Sequence, residues 1–143
     1  MAEEAKNKMP GADRQTKVLI AEDDKFLSKV LSDKFTRKNY CVVVASDGIE
    51  AVNKIKSEMP DIVLLDLIMP NKNGFEILEE VKVDSKYKNI PFIILSNLGQ
   101  KKDVERGKKL GVVEYLVKSN TPINDIVKKV EEVLAQNIIA HNL

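Results

Sequence analysis

Five short apolar runs, evenly spaced and alternating with segments of helical periodicity, constrain this chain more than any other feature of it. They are Val18-Leu19-Ile20-Ala21, Cys41-Val42-Val43-Val44-Ala45, Ile62-Val63-Leu64-Leu65, Phe92-Ile93-Ile94-Leu95, and Val112-Val113 continuing through Tyr115-Leu116-Val117. Four are continuous rather than alternating, which is the pattern of strands covered on both faces of a parallel sheet. Glu114 interrupts the fifth, which suits an edge strand where its carboxylate reaches water.

The intervening segments carry apolar residues at helical spacing. Phe26, Leu27, Val30, Leu31 and Phe35 form one set; Ile49, Val52 and Ile55 follow Asp47-Gly48, and Phe75, Leu78 and Val81 follow Gly74. The last set is Ile123, Ile126, Val127, Val130, Val133 and Leu134, with Thr121 expected as N-cap and Pro122 in the first helical position. Gln100 to Leu110 has the weakest helical pattern, with few apolar residues and Gly107 inside it. Five strand-helix units with short connections predict a parallel sheet with right-handed crossovers and helices on both faces. The expected fold is an open doubly wound α/β domain.

The chain has 143 residues, of which 43% are hydrophobic and 31% charged, a profile of one globular domain rather than a disordered or fibrous chain. Lys and Arg number 23 against 22 Asp and Glu, so no bulk charge points to nucleic acid or an anionic membrane, and neither is expected as a direct partner. The single Cys41 excludes an internal disulfide and reads as a buried thiol. No apolar stretch approaches the roughly 18 residues that a membrane span needs, and the polar N-terminus lacks a secretory pattern, so a cytoplasmic location is expected. Residues 1–15 read as a flexible leader, 16–137 as one domain without a dividing linker, and 138–143 as a short tail in which His141 has no role. The lysines at 101, 102, 108 and 109 read as a solvated helix face.

In open α/β sheets the ligand site lies beyond the C-terminal ends of the strands. Glu22-Asp23-Asp24 follow the first apolar run, Asp66 the third, Ser96-Asn97 the fourth and Lys118-Ser119 the fifth. Clustered carboxylates repel one another unless a cation sits among them, and oxygen ligands favour a hard ion such as Mg²⁺. An aspartate at a buried strand end can act as nucleophile toward a phosphoryl group. Such transfer depends on positioning and charge neutralisation, to which Mg²⁺, the Lys118 ammonium and the Ser96 hydroxyl would contribute.

These residues resemble the receiver domain of two-component response regulators. The resemblance runs from about Lys17 to Leu134 and rests on four motifs: Glu22-Asp23, Asp66-Leu67-Ile68-Met69-Pro70 followed by Gly74, Ser96, and Tyr115 with Lys118. It implies a flavodoxin-like five-stranded sheet of order 2-1-3-4-5 and a phosphorylatable signalling module, of the stand-alone type, rather than a turnover enzyme. Asp66 would be the phosphoacceptor, charged by a histidine kinase or phosphotransfer protein. Mg²⁺, or another divalent cation such as Mn²⁺, would be ligated by Asp23, Asp66 and the backbone carbonyl of Ile68, with Glu22 acting through water. Lys118 would contact the phosphoryl group, and Ser96 and Tyr115 would move once it arrives, altering a surface read by an unknown downstream protein. Asp24 falls outside the acidic pair and is expected to start a helix.

Two departures from the family pattern stand out. Ser119 replaces the proline that usually follows the lysine in a cis peptide bond, so this bond is either trans or strained. Asn97 replaces a small residue and is expected to narrow access to Asp66. Ile68 and Leu98 are apolar and cannot orient a hydrolytic water, from which a long-lived phosphoryl group is expected. Two alternatives stand beside the receiver reading: a degenerate receiver serving as a binding scaffold, and a haloacid-dehalogenase-type phosphatase. The latter requires a second aspartate where this chain has Ile68.

Overall fold

The computed structural model describes residues 15–142. Five strands, β1 (Lys17–Ala21), β2 (Cys41–Ala45), β3 (Ile62–Leu65), β4 (Phe92–Ser96) and β5 (Glu114–Val117), alternate with five helices. These are α1 (Lys25–Arg37), α2 (Gly48–Glu58), α3 (Gly74–Lys82), α4 (Lys101–Lys109) and α5 (Ile123–Asn142). The sheet is wholly parallel, in the order β2-β1-β3-β4-β5.

Each central strand feeds two cores because successive side chains point to opposite faces. Leu19, Val63, Leu65, Phe92 and Ile94 pack against α2 and α3 through Val52, Ile55, Ile77, Leu78 and Val81. Val18, Ile20, Leu64, Ile93 and Leu95 pack against α1 and α5 through Leu31, Phe35, Val127 and Val130. The expected doubly wound architecture follows. β2 and β5 are the edges, so Cys41 to Val44 and all of β5 are only half-buried. Cys41 is therefore half-buried rather than the buried thiol expected.

Polar side chains cap the first turns of three of the helices. Asp24 accepts from the N–H groups of Phe26 (3.0 Å) and Leu27 (3.2 Å), confirming it as a helix starter. Asp47 accepts from Glu50 N–H at 2.9 Å, and Asn73 and Glu76 close a capping box on α3. The glycine at the head of α2 is required by contact: a Cβ on Gly48 would lie 1.8 Å from the Lys72 carbonyl oxygen. That backbone approach ties the loop after β2 to the loop after β3, reinforced by Gly48 N–H donating to the Pro70 carbonyl at 3.1 Å.

Three local expectations are revised. Phe26 is 80% exposed and Ile49 is 51% exposed, each in the first turn of its helix. Thr121 does not cap α5; its hydroxyl donates to the Val117 carbonyl at 2.8 Å, while the Pro122 carbonyl receives Asp125 and Ile126 N–H. Helix α5 continues through Asn142, past the boundary at 137. The leader lies outside the described residues except Gln15, whose side chain donates to the Asn39 carbonyl.

Candidate functional site

The C-terminal ends of β1, β3, β4 and β5 bring Glu22, Asp23, Asp66, Ser96 and Lys118 to one edge of the sheet. Glu22 is 3% exposed and Asp66 5% exposed, whereas Asp23 faces solvent. Glu22, Asp23 and Asp66 each offer a carboxylate oxygen, and these oxygens lie within 4.8 Å of one another. Lys118 answers the two buried ones: its Nζ stands 2.5 Å from Glu22 Oε1 and 3.0 Å from Asp66 Oδ2.

The electrostatics of the cluster are unbalanced. Burial pushes Glu22 from its ordinary value of 4.5 up to about 7, and the Asp66 charge adds to this, against the opposing pull of Lys118 and of the Asp24 N–H (3.1 Å). Burial alone would lower the Lys118 ammonium, but its bonds to Glu22 and Asp66 hold it above its ordinary value. Three carboxylates share one ammonium, and Glu22 Oε1 accepts no hydrogen bond from any other group among the described residues. An all-oxygen donor set with uncompensated negative charge, open on the Asp23 side, fits a hard divalent cation.

Asp66 Oδ1 accepts from the Ile68 N–H at 3.3 Å, which turns the chain sharply after β3. Ile68 itself is 57% exposed beside the carboxylates. Ser96 is fully buried, with its Oγ accepting from Leu98 N–H at 3.3 Å. Tyr115, half-buried on β5, donates its hydroxyl to the Leu98 carbonyl. Burial, then the charges of Asp103 and Asp66, push its phenol up to about 12. The sequence did not signal Leu98 as the hub between Ser96 and Tyr115, because both bonds use its backbone. Leu98 packs its side chain against the core, and Asn97 points outward. No cis peptide bond occurs among the described residues, so the Lys118-Ser119 bond is trans; Lys118–Asn120 forms one turn of 3₁₀ helix instead.

Residues 18–131 match the family model of the response regulator receiver domain. The chain belongs to that family. Receiver domains are signalling modules of two-component systems, not turnover enzymes on external substrates. A probable transcriptional regulator, ycf27, of Guillardia theta is 40% identical over 119 residues, covering 82% of this chain and 46% of that protein. The chain thus spans about half the length of the curated relatives it matches. The phosphorylated cyanobacterial phytochrome response regulator RcpA is 30% identical with a TM-score of 0.75, over 85% of this chain and 95% of that one. The Mn²⁺-bound form of response regulator Rcp1 is 28% identical with a TM-score of 0.71, over 82% of this chain and 91% of that one. The sheet order is the one the receiver resemblance implied. Among the described residues no helix is long and apolar enough to cross a membrane.

Proposed function

We propose that Asp66 is the phosphoacceptor of this receiver domain and that its phosphodonor is the phosphohistidine of a histidine kinase or phosphotransfer protein. An Asp66 oxygen attacks phosphorus; the new P–O bond replaces the P–N bond, and the departing imidazole takes a proton from solvent. The observation that carries this reading is the Lys118 ammonium 3.0 Å from Asp66 Oδ2, beside an open acidic cluster. Lys118 neutralises charge on the transferred phosphoryl oxygens, and the apolar wall of β1 and β3 behind Asp66 keeps the bond away from bulk water.

Asp23, Asp66 and the Ile68 carbonyl are assigned as direct ligands of Mg²⁺ or Mn²⁺, with Glu22 acting through water. Held there, the ion would supply positive charge that offsets the repulsion between these carboxylates and an incoming phosphoryl group. The Mn²⁺-bound form of Rcp1 supports a divalent cation at the acidic cluster. Ser96 then turns its hydroxyl toward the phosphoryl group and Tyr115 changes rotamer, altering the α4 and β5 surface for a downstream protein. The phosphoryl group leaves by slow autodephosphorylation.

The test is incubation with Mg²⁺ and acetyl phosphate, read by intact mass. One phosphoryl adduct is expected on the native chain and none on Asp66→Asn. An adduct that persists in that variant, or no adduct on the native chain, refutes the assignment.

A further inference from the structure

A second concavity lies at the opposite edge of the sheet from the carboxylates. It is an open groove of about 700 Å³ between the C-terminal ends of α3 and α4 and the chain that leads into β4. Val83 and the half-buried Leu110 supply apolar surface over a floor closed by the buried Leu78, and Lys82, Lys88 and Lys109 supply the charge. Val83 is 83% exposed, an apolar side chain with no cover.

Among the described residues none of the three lysines has a carboxylate within ion-pair distance. Glu79 also lines the groove, but its Oε1 is held by Arg106 of α4 at 2.9 Å. Lys82 is the most constrained of the set. Its Nζ donates to the carbonyls of Ile90 (2.9 Å) and Lys88 (3.1 Å) and sits 4.9 Å from the centre of the Phe92 ring. Burial holds this ammonium below its ordinary value, with no anion to offset the cost.

We propose that the groove docks an acidic, amphipathic polypeptide segment of a partner protein. Its apolar side chains would lie on Val83 and Leu110, and its carboxylates beside Lys82, Lys88 and Lys109. Charge complementarity selects an acidic occupant, because unneutralised lysines flank exposed apolar surface. Openness selects a polypeptide over a small molecule. A small ligand needs about 70–90% of its surface enclosed, whereas a helix or strand lays only one face into a groove. Because the groove is at the far edge of the sheet, occupation leaves Asp66 accessible, and the proposal stands apart from phosphodonor docking.

The experiment uses the whole chain, ¹⁵N-labelled, titrated with two synthetic amphipathic peptides of one Leu pattern, one with Glu and the other with Lys on its polar face. The Glu peptide is expected to shift the amides of Val83, Lys88, Lys109, Leu110 and Gly111, and the Lys peptide to bind at least about tenfold more weakly. Lys88→Glu/Lys109→Glu, two exposed changes, should weaken the Glu peptide about tenfold while acetyl phosphate still labels Asp66 fully. No binding at about 1 mM, shifts elsewhere, or equal affinity for the two peptides overturns the proposal. Naphthoate filling the groove as tightly as the Glu peptide also overturns it, in favour of a small-molecule site.

Discussion

Glu22→Gln should make this protein more stable at pH 8 in the absence of divalent metal, although it removes one side of an ion pair. The native carboxyl titrates at about 7 against an ordinary 4.5, chiefly because burial disfavours its charge. Between those values the folded state binds a proton that the unfolded state has released, so the stability this one group contributes declines as pH rises from about 4.5 to about 7 and is absent above. At about 1.4 kcal/mol per pH unit the displacement amounts to about 3 kcal/mol. Gln keeps the shape and drops the charge, but it forfeits the contact with Lys118, which leaves an expected gain of about 1–3 kcal/mol at pH 8. At pH 5 the native glutamate is protonated and the gain should vanish. For a domain of this size that is a rise in Tm of about 3–10 °C at pH 8. The assay is thermal and urea unfolding of both chains at pH 5 and pH 8 with EDTA, then with Mg²⁺. Mg²⁺ should stabilise the native chain more than the variant, since Glu22 contributes charge to the ion site. A variant no more stable than the native chain at pH 8, or equally favoured at both pH values, refutes the reasoning.

Two further outcomes are expected. Gly48→Ala places a methyl group against the Lys72 carbonyl, a backbone atom that cannot step aside; it should cost about 2–4 kcal/mol, and an unfolding free energy from urea titration within about 0.5 kcal/mol of native refutes the contact. Ile68→Asn puts a water-orienting amide beside Asp66 at an exposed position, so loss of phosphoryl label after donor removal should quicken several-fold, and an unchanged rate counts against a long-lived phosphoryl group.

The doubly wound fold was legible because β1, β3 and β4 are covered on both faces and must be apolar at every position, which leaves continuous runs in the sequence. The same logic overreached at the edges. The run from Cys41 to Ala45 looks as buried as the others, but β2 has a neighbour on one side only. Phe26 falls among the apolar residues of α1 by spacing, yet periodicity carries no information about which turn of a helix is covered, and the ring is solvent-exposed. The acidic cluster was legible because strand C-terminal ends converge in any open parallel sheet. The 3₁₀ turn after Lys118 was not, since Ser119 in place of proline disfavours a cis bond by about 2.5–4 kcal/mol but says nothing of how the loop then closes. The groove of Leu78, Lys88 and Leu110 left no signal at all, being assembled from three segments that share no period.

On the proposed assignment, the backbone of Leu98 explains how a group on Asp66 could reach the outer surface of the domain. Its N–H is bound by the Ser96 hydroxyl and its carbonyl by the Tyr115 hydroxyl, so one residue is held from both directions. Ser96 is fully buried and has little freedom of its own, so turning its hydroxyl toward a phosphoryl group carries Leu98 with it. The carbonyl then moves away from Tyr115. A half-buried phenol that loses its acceptor cannot remain in place without an unsatisfied hydroxyl, a cost of about 1–3 kcal/mol that favours another rotamer. Gly107 of α4 leaves no slack there, since a Cβ on it would lie 3.2 Å from the Tyr115 ring. The ring and α4 must therefore adjust together. On that assignment a small demand at Ser96 would become a discrete change on the α4 and β5 surface, because packed elements switch between arrangements rather than deform continuously.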